Sequence, residues 1–387
     1  MIDLRSSGPT TSGSRPGAGR DRFLDLVRAA AILRVLVVHA AATTGSLWWP
    51  VPSWFLPGMP LVFFTSGALA APSVLRHGTR RFHRDRYRRL LLPYWAFLLT
   101  GLTVLVVAGL TVGGDRWTPR WWRLLDAVVP VVQPRIAPGL TELSTHLWFA
   151  SAFLLLIACA PPLVRLQQRR PLLPLAACAS VFALLIWVDR CWFAVPIEVL
   201  YVPMYGIFLA AGIAYADGSL VGRPHRPGEP PPVREGRPLL NPLTASLIVV
   251  GAIVGGWASF RYGARDLNHD LVGHTCVAAG WLVVVLAARE PLGRLARRLA
   301  RPLDRITPRT LTLYLWSAPA GVLAWRLAET NANAHGRLLA YLIGTAVLTA
   351  VALWVFGRLE DRAAGRAGGR PRDGADLRNN DRPMAIG

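Results

Sequence analysis

Apolar runs of about twenty residues recur along the chain, separated by short polar segments rich in arginine. An α-helix rises about 1.5 Å per residue, so about 20 apolar residues cross the hydrocarbon core of a bilayer. Ten such runs stand out, at 22–41, 54–74, 90–112, 146–164, 171–189, 194–216, 240–260, 269–288, 309–328 and 337–357. The fifth (PLLPLAACASVFALLIWV) and the tenth (LLAYLIGTAVLTAVALWVFG) are the cleanest. The first is the least clean, because it carries Asp25, Arg28 and Arg34. No apolar leader with a small-residue cleavage site precedes it, so the first run is expected to insert uncleaved. The pattern predicts an all-α, polytopic integral membrane protein of about ten transmembrane helices. Residues 21–360 form the membrane domain in this reading, with disordered tails at 1–20 and 361–387. RPHRPGEPPPVREG, within the 218–238 loop, reads as a flexible linker. Residues 115–145 form the longest external loop, and WTPRWWRLLDAVVP within it has the Trp-rich amphipathic character of the membrane interface.

Composition supports this picture. The 387 residues are 53% hydrophobic and 17% charged, yet the formal net charge is +21. The apolar fraction excludes a disordered or collagen-like chain, and four cysteines exclude a disulfide scaffold. There is no lysine, so all 43 basic residues are arginine. With abundant Ala, Gly and Pro, this has the look of GC-rich coding. If there are ten spans, the N-terminus, the even-numbered loops and the C-terminus share one side. That side holds 32 of the 43 arginines; the other holds nine, and Arg28 and Arg34 lie inside the first span. Positive charge is retained on the cytoplasmic side, which places both termini in the cytoplasm. A membrane-anchored nucleic-acid binder would concentrate its charge on one domain face, whereas here it is dispersed over four loops and two tails.

A charge in mid-bilayer costs at least about 2.5–3.5 kcal/mol, so each intramembrane polar group needs a reason. Arg28 and His39 are eleven residues apart, three helical turns plus about 20°, which puts them on one face about 16 Å apart along the axis. Arg28 falls in the inner third of the span and His39 near its outer end. Two readings stay open. In one, the guanidinium holds an anionic end of a long ligand and the imidazole handles protons at the other end. In the plainer one, Arg28 snorkels beside Asp25 and His39 is an interfacial residue. Arg34 lies 120° or more around the helix, with no evident role. His146 opens the fourth run beside Trp148, level with His39. Asp270 and His274, spaced i,i+4, can form a carboxylate–imidazole pair. Arg86 and Arg89 lie in RHGTRRFHRDRYRR (76–89), a run that attracts anionic lipid and can also grip a phosphorylated cofactor. No metal-ligand spacing, P-loop, GxGxxG or GxSxG is present. Ser66 and Gly67 in FFTSGAL suit close helix packing. The cysteines behave as small apolar residues.

These residues resemble the membrane-bound acyltransferase-3 family. RFLDLVRAAAILRVLVVHA (22–40) is similar to its opening helix, whose signature is Arg, ten residues, then His; Arg28 and His39 match it. In order along the chain follow MPLVFFTSGALAAPSVL (59–75), RYRRLLLPYW (86–95), STHLWFASAFLLLIACAPPL (144–163), GIAYADG (212–218) and LTLYLWSAP (311–319), over roughly residues 20–360. The resemblance implies an O-acyltransferase of a bacterial plasma membrane, transferring groups other than amino-acyl groups. The acyl group, acetyl or short, would come from cytoplasmic acyl-CoA as co-substrate, with no tightly bound cofactor and no metal. The acceptor would be a hydroxyl of a carbohydrate, glycolipid or glycosylated natural product, as in modification of the cell envelope. His39 would be the catalytic base, oriented by a carboxylate such as Asp270 or Glu142. Arg28, Arg86 and Arg89 would bind the nucleotide phosphates, and His146, Trp148 and Ser66 are candidate substrate contacts. One position departs from the family, with Ser317 where a His usually follows the Trp. The competing reading is a non-catalytic polytopic protein or a transporter. A secondary transporter favours internal repeats and paired broken helices, and neither is visible, although Pro196 and Pro203 interrupt the sixth run.

Overall fold

A computed structural model describes residues 21–43, 51–111, 128–130, 138, 147–222, 239–262, 266–328 and 333–363. Among these residues the regular structure is helical, with no strands. The helices are α1 (Arg22–Thr43), α2 (Gly58–Thr111), α3 (Trp148–Arg169), α4 (Leu173–Cys191), α5 (Ile197–Asp217), α6 (Pro242–Arg261), α7 (Leu271–Ala287), α8 (Arg289–Arg298), α9 (Ala300–Ile306), α10 (Thr310–Ala328) and α11 (Ala334–Ala363). Short 3-10 turns cover Val51–Trp54, Leu267–His269 and Thr307–Arg309. The expected N-terminal tail, residues 364–387, most of the Pro-rich linker and nearly all of the 115–145 loop lie outside the described residues, while residues 361–363, expected in the C-terminal tail, continue α11.

Each of the ten apolar runs falls on a helix, but the runs do not all stand as separate spans. By length and composition, six described helices can cross a membrane, or seven if α7 and α8, bent by 70°, are one span. Two runs share α2, whose halves meet at Gly78 (φ 75, ψ 167), a conformation that favours glycine. α1 stays outside the set with its internal charges, as does α10, which holds Thr310, Thr312, Ser317, Pro319 and Arg326. Pro203 sits inside α5, which runs unbroken from Ile197 to Asp217, and Pro196 is its N-cap.

Local sequence explains where several helices start. Asn241 caps α6 by accepting from Thr244 N–H at 2.9 Å, while Thr244 Oγ1 accepts from Asn241 N–H at 3.1 Å. Asp21 Oδ1 accepts from Phe23 N–H at 3.1 Å at the start of α1.

The core is built on α1, α2, α3 and α5, around residues such as Phe63, Phe64, Ile157, Phe208 and Ile213. α2 and α5 approach closely because each puts a glycine at the crossing. A Cβ on Gly67 would lie 2.0 Å from the Leu209 carbonyl oxygen, and one on Gly212 would lie 2.0 Å from that of Phe64. Backbone approach of this kind is how small residues drive helix association where no hydrophobic effect separates helix from lipid. Outer helices turn apolar faces away from the core. On α11, Leu339, Ile343, Val347, Val351 and Trp354 are exposed at helical spacing, and on α6 so are Leu247, Val250, Val254 and Trp257. Continuous exposed apolar faces of this size suit a lipid solvent.

The segments that the arginine count assigns to one side come together at one end of the bundle. Arg165 donates to Thr79 Oγ1 at 2.7 Å, and Arg289 to the Gly222 carbonyl at 3.1 Å. Arg22 forms a two-pronged ion pair with Asp304, and Arg309 pairs with Asp361 at 2.6 Å. We call this the arginine-rich end. α1 begins there and runs to the far end, where it meets the Val51–Trp54 turn.

Candidate active site

A cavity of about 320 Å³ opens at the arginine-rich end. Arg28 from α1 and Arg86 and Arg89 from α2 all line it, so one cation converges with two others 58 and 61 positions further along the chain. Arg86 also donates to the Leu69 carbonyl at 3.3 Å and lies 5.6 Å over the Phe82 ring, which aims its fork. Ile32, Val62 and Leu90 form apolar wall, and Phe149, Phe153 and Tyr314 close the inner part.

Three carboxylates share this cavity: Asp21, Asp25 and Glu360. Two of them serve helix starts. Asp21 caps α1 and accepts from the Tyr215 hydroxyl at 3.2 Å. Glu360, near the end of α11, is only 7% exposed. Its Oε2 accepts from Thr312 N–H at 3.1 Å and from Thr312 Oγ1 at 2.6 Å, with the Leu311 N–H within electrostatic reach. Glu360 therefore fastens the first turn of α10 to α11 within electrostatic reach of Arg28. The motif reading did not single out Glu360; the available signal was a carboxylate closing an otherwise apolar run.

The other candidates lie elsewhere. His39 is on α1 at the far end, exposed, about 10 Å along the helix beyond Ile32. Trp148 belongs to an aromatic group instead of the cavity wall, stacked on Tyr205 with centroids 5.5 Å apart. Contacts in this group lead inward from the cavity: Phe149 meets Phe63 at 5.5 Å, Phe63 stacks on Tyr205 at 4.7 Å, and Tyr205 lies within electrostatic reach of Arg34. Ser66 is buried and donates to the Val62 carbonyl at 2.7 Å, which satisfies its hydroxyl inside α2. Ser317 likewise donates to the Tyr314 carbonyl at 2.7 Å. His146 and Glu142 lie outside the described residues.

At the far end Arg34 has a role that the sequence did not reveal. It donates to the carbonyls of Ser53 at 2.8 Å and Phe55 at 3.1 Å, clamping the Val51–Trp54 turn to α1. The expected Asp270–His274 pair does not form. Asp270 is the N-cap of α7, with extended backbone (φ −112, ψ 101). Its Oδ1 accepts from Val272 N–H at 3.1 Å and its Oδ2 takes the Ser259 hydroxyl. The i,i+4 geometry presumes that both residues are helical, and a cap residue turns its carboxylate to the helix N–H groups instead. Asp266 is a carboxylate within electrostatic reach of His39.

The site therefore has two poles on one helix. One is a cavity lined by three arginines and three carboxylates with an apolar inner wall, and the other is an exposed imidazole with Arg34 and Asp266 near it. Among the described residues no group of His, Cys, Asp and Glu is arranged to hold a metal ion. A family profile described as an acyltransferase domain matches residues 21–357. No curated protein and no solved structure matches the chain. The chain belongs to the acyltransferase-3 family, and is a multi-pass membrane protein of the acyltransferase kind.

Proposed function

We propose that this family member is an O-acyltransferase that moves an acetyl or short acyl group from cytoplasmic acyl-CoA to a hydroxyl of a sugar-containing acceptor, in the plasma membrane of a bacterium. The observation that carries the reading is the convergence of Arg28, Arg86 and Arg89 on one cavity, at the opposite end of α1 from His39. An acyl-CoA has an anionic nucleotide, a long thin arm and a thioester. Guanidinium forks suit the phosphates. The apolar wall formed by Ile32, Val62 and Leu90 suits the arm. The 32-to-9 sorting of arginines supports a cytoplasmic position for the cavity, where acyl-CoA is made.

In this mechanism His39 takes the proton of the acceptor hydroxyl as its oxygen attacks the thioester carbonyl carbon. The new C–O bond forms, the C–S bond breaks, and the departing thiolate takes up the proton held on His39. The charge of Asp266 stabilises the imidazolium in between. Asp266 suits this supporting role better than Asp270, whose two oxygens are both engaged.

Two variants in membrane vesicles test the reading. His39→Ala should lower acyl transfer by about 10²–10⁴-fold in protein that still elutes as a folded species. Arg28→Gln should raise the KM for acetyl-CoA by about 10–100-fold, the value of a charge-assisted contact. Retained turnover in folded His39→Ala protein would overturn the mechanism.

A further inference from the structure

The far end holds a polar group that the mechanism above leaves unused. His274 is 5% exposed, and both of its ring nitrogens lack a hydrogen-bond partner among the described residues. A buried imidazole needs two partners, because a neutral ring carries one donor and one acceptor. The polar groups around it are occupied with others. Asp270 serves Val272 and Ser259, and Asp266 Oδ1 accepts from the backbone and side-chain nitrogens of Asn268. Arg34 holds the carbonyls of Ser53 and Phe55.

The position of the ring is set by its helix. His274 and Trp281 are seven residues apart on α7, hence on one face. Trp281 Nε1 donates to the Trp54 carbonyl at 3.0 Å, so that face looks at the Val51–Trp54 turn. Leu267 N–H donates to Ser53 Oγ at 3.2 Å, which ties the start of this region to the same turn. Arg34, from the outer half of α1, grips the turn as well. His274 and His39 therefore belong to elements joined through one turn, and Arg34 and Asp266 lie within electrostatic reach of both rings.

We propose that His274 is a second recognition point for the acceptor, gripping one of its hydroxyl groups at the far end of the bundle while His39 acts on the reacting one. This rests on the acyltransfer reading above. The surroundings select the chemistry of the occupant. Asp266 and Asp270 repel a carboxylate, and Arg34 repels an ammonium. A neutral hydroxyl, which donates once and accepts, matches a neutral imidazole atom for atom. A polyol offers several such groups, so gripping one of them fixes which neighbour faces the base.

The test uses the full chain in lipid vesicles with labelled acetyl-CoA, and an aqueous-and-lipid extract of the producing cells as the source of acceptor. His274→Leu should raise the half-saturating amount of extract by about tenfold, while the KM for acetyl-CoA stays within about twofold. His274→Gln, which keeps a donor and an acceptor, should recover most of the loss. An unchanged requirement for extract in folded His274→Leu protein would overturn the proposal and leave the acyltransfer reading standing. Wild-type vesicles that label no component of the extract would overturn the acyltransfer reading itself, and this proposal with it.

A second measurement needs no variant. Diethyl pyrocarbonate acylates an accessible, unprotonated imidazole nitrogen, and peptide mass spectrometry follows His274 alone. The extract should slow its modification by about fivefold or more, as a hydroxyl occupies the ring. Equal modification with and without extract would overturn the proposal. So would a ring that the reagent never reaches, since no acceptor would reach it either.

Discussion

Glu360 is a case where one carboxylate joins a helix start to the arginine-lined cavity. It receives two donors from Thr312, 48 positions away, and it lies in the field of Arg28. Replacing it by Ala would strand buried donors at the start of α10, so Glu360→Ala should destabilise the protein by about 2–4 kcal/mol, read as a lower melting midpoint in detergent. Glu360→Gln keeps an acceptor and should lose less than half of that. At this scale the sequence is legible for the cations, while Trp148 and Ser66, which also lie in motif segments, stand away from the cavity. Arg28, Arg86 and Arg89 were chosen by spacing and neighbours, and the structure gathers them. It was silent wherever the partner is distant. Nothing near Arg34 points to the carbonyls of Ser53 and Phe55, and nothing near Glu360 points to Thr312. For Asp270 and His274 the spacing misled, because it counts residues and does not show where the helix begins.

Elements follow more directly from sequence, since apolar length and caps are local properties. The boundaries of α3 to α7 fall within a few residues of the apolar runs that foretold them. The number of spans did not follow as simply. The run-counting rule has no way to see that two runs share α2 across Gly78, or that α1 and α10 are helical while too polar to pass as spans on their own. Packing between elements was legible only as a hint of small residues in FFTSGAL. The structure turns that hint into a requirement, with Gly67 and Gly212 each seated on the opposite backbone. Gly67→Ala should therefore force α2 and α5 apart and cost about 1–3 kcal/mol or more, with a loss of monodisperse protein on size exclusion. Gly251→Ala on α6 is the control. A Cβ there meets nothing within 4 Å, and the change should be neutral or stabilise by up to about 1 kcal/mol.

For the molecule as a whole, the sorting of arginines and the meeting of those segments at one end are two views of one orientation. Cysteine labelling in intact cells reads it directly. In a background with Cys159→Ser and Cys191→Ser, the two exposed native cysteines, an impermeant maleimide should label Tyr262→Cys at the far end and leave His77→Cys at the arginine-rich end untouched until the cells are opened. The reverse pattern would put the arginine cavity outside the cell and away from any cytoplasmic donor. The absence of lysine has a further consequence at the cavity. A thioester is an electrophile, and a buried ammonium readily gives up its proton to become an amine that attacks one. Guanidinium groups stay protonated and are poor nucleophiles. A cavity whose cations are all arginine could therefore hold the proposed acyl donor close without being acylated by it, turnover after turnover.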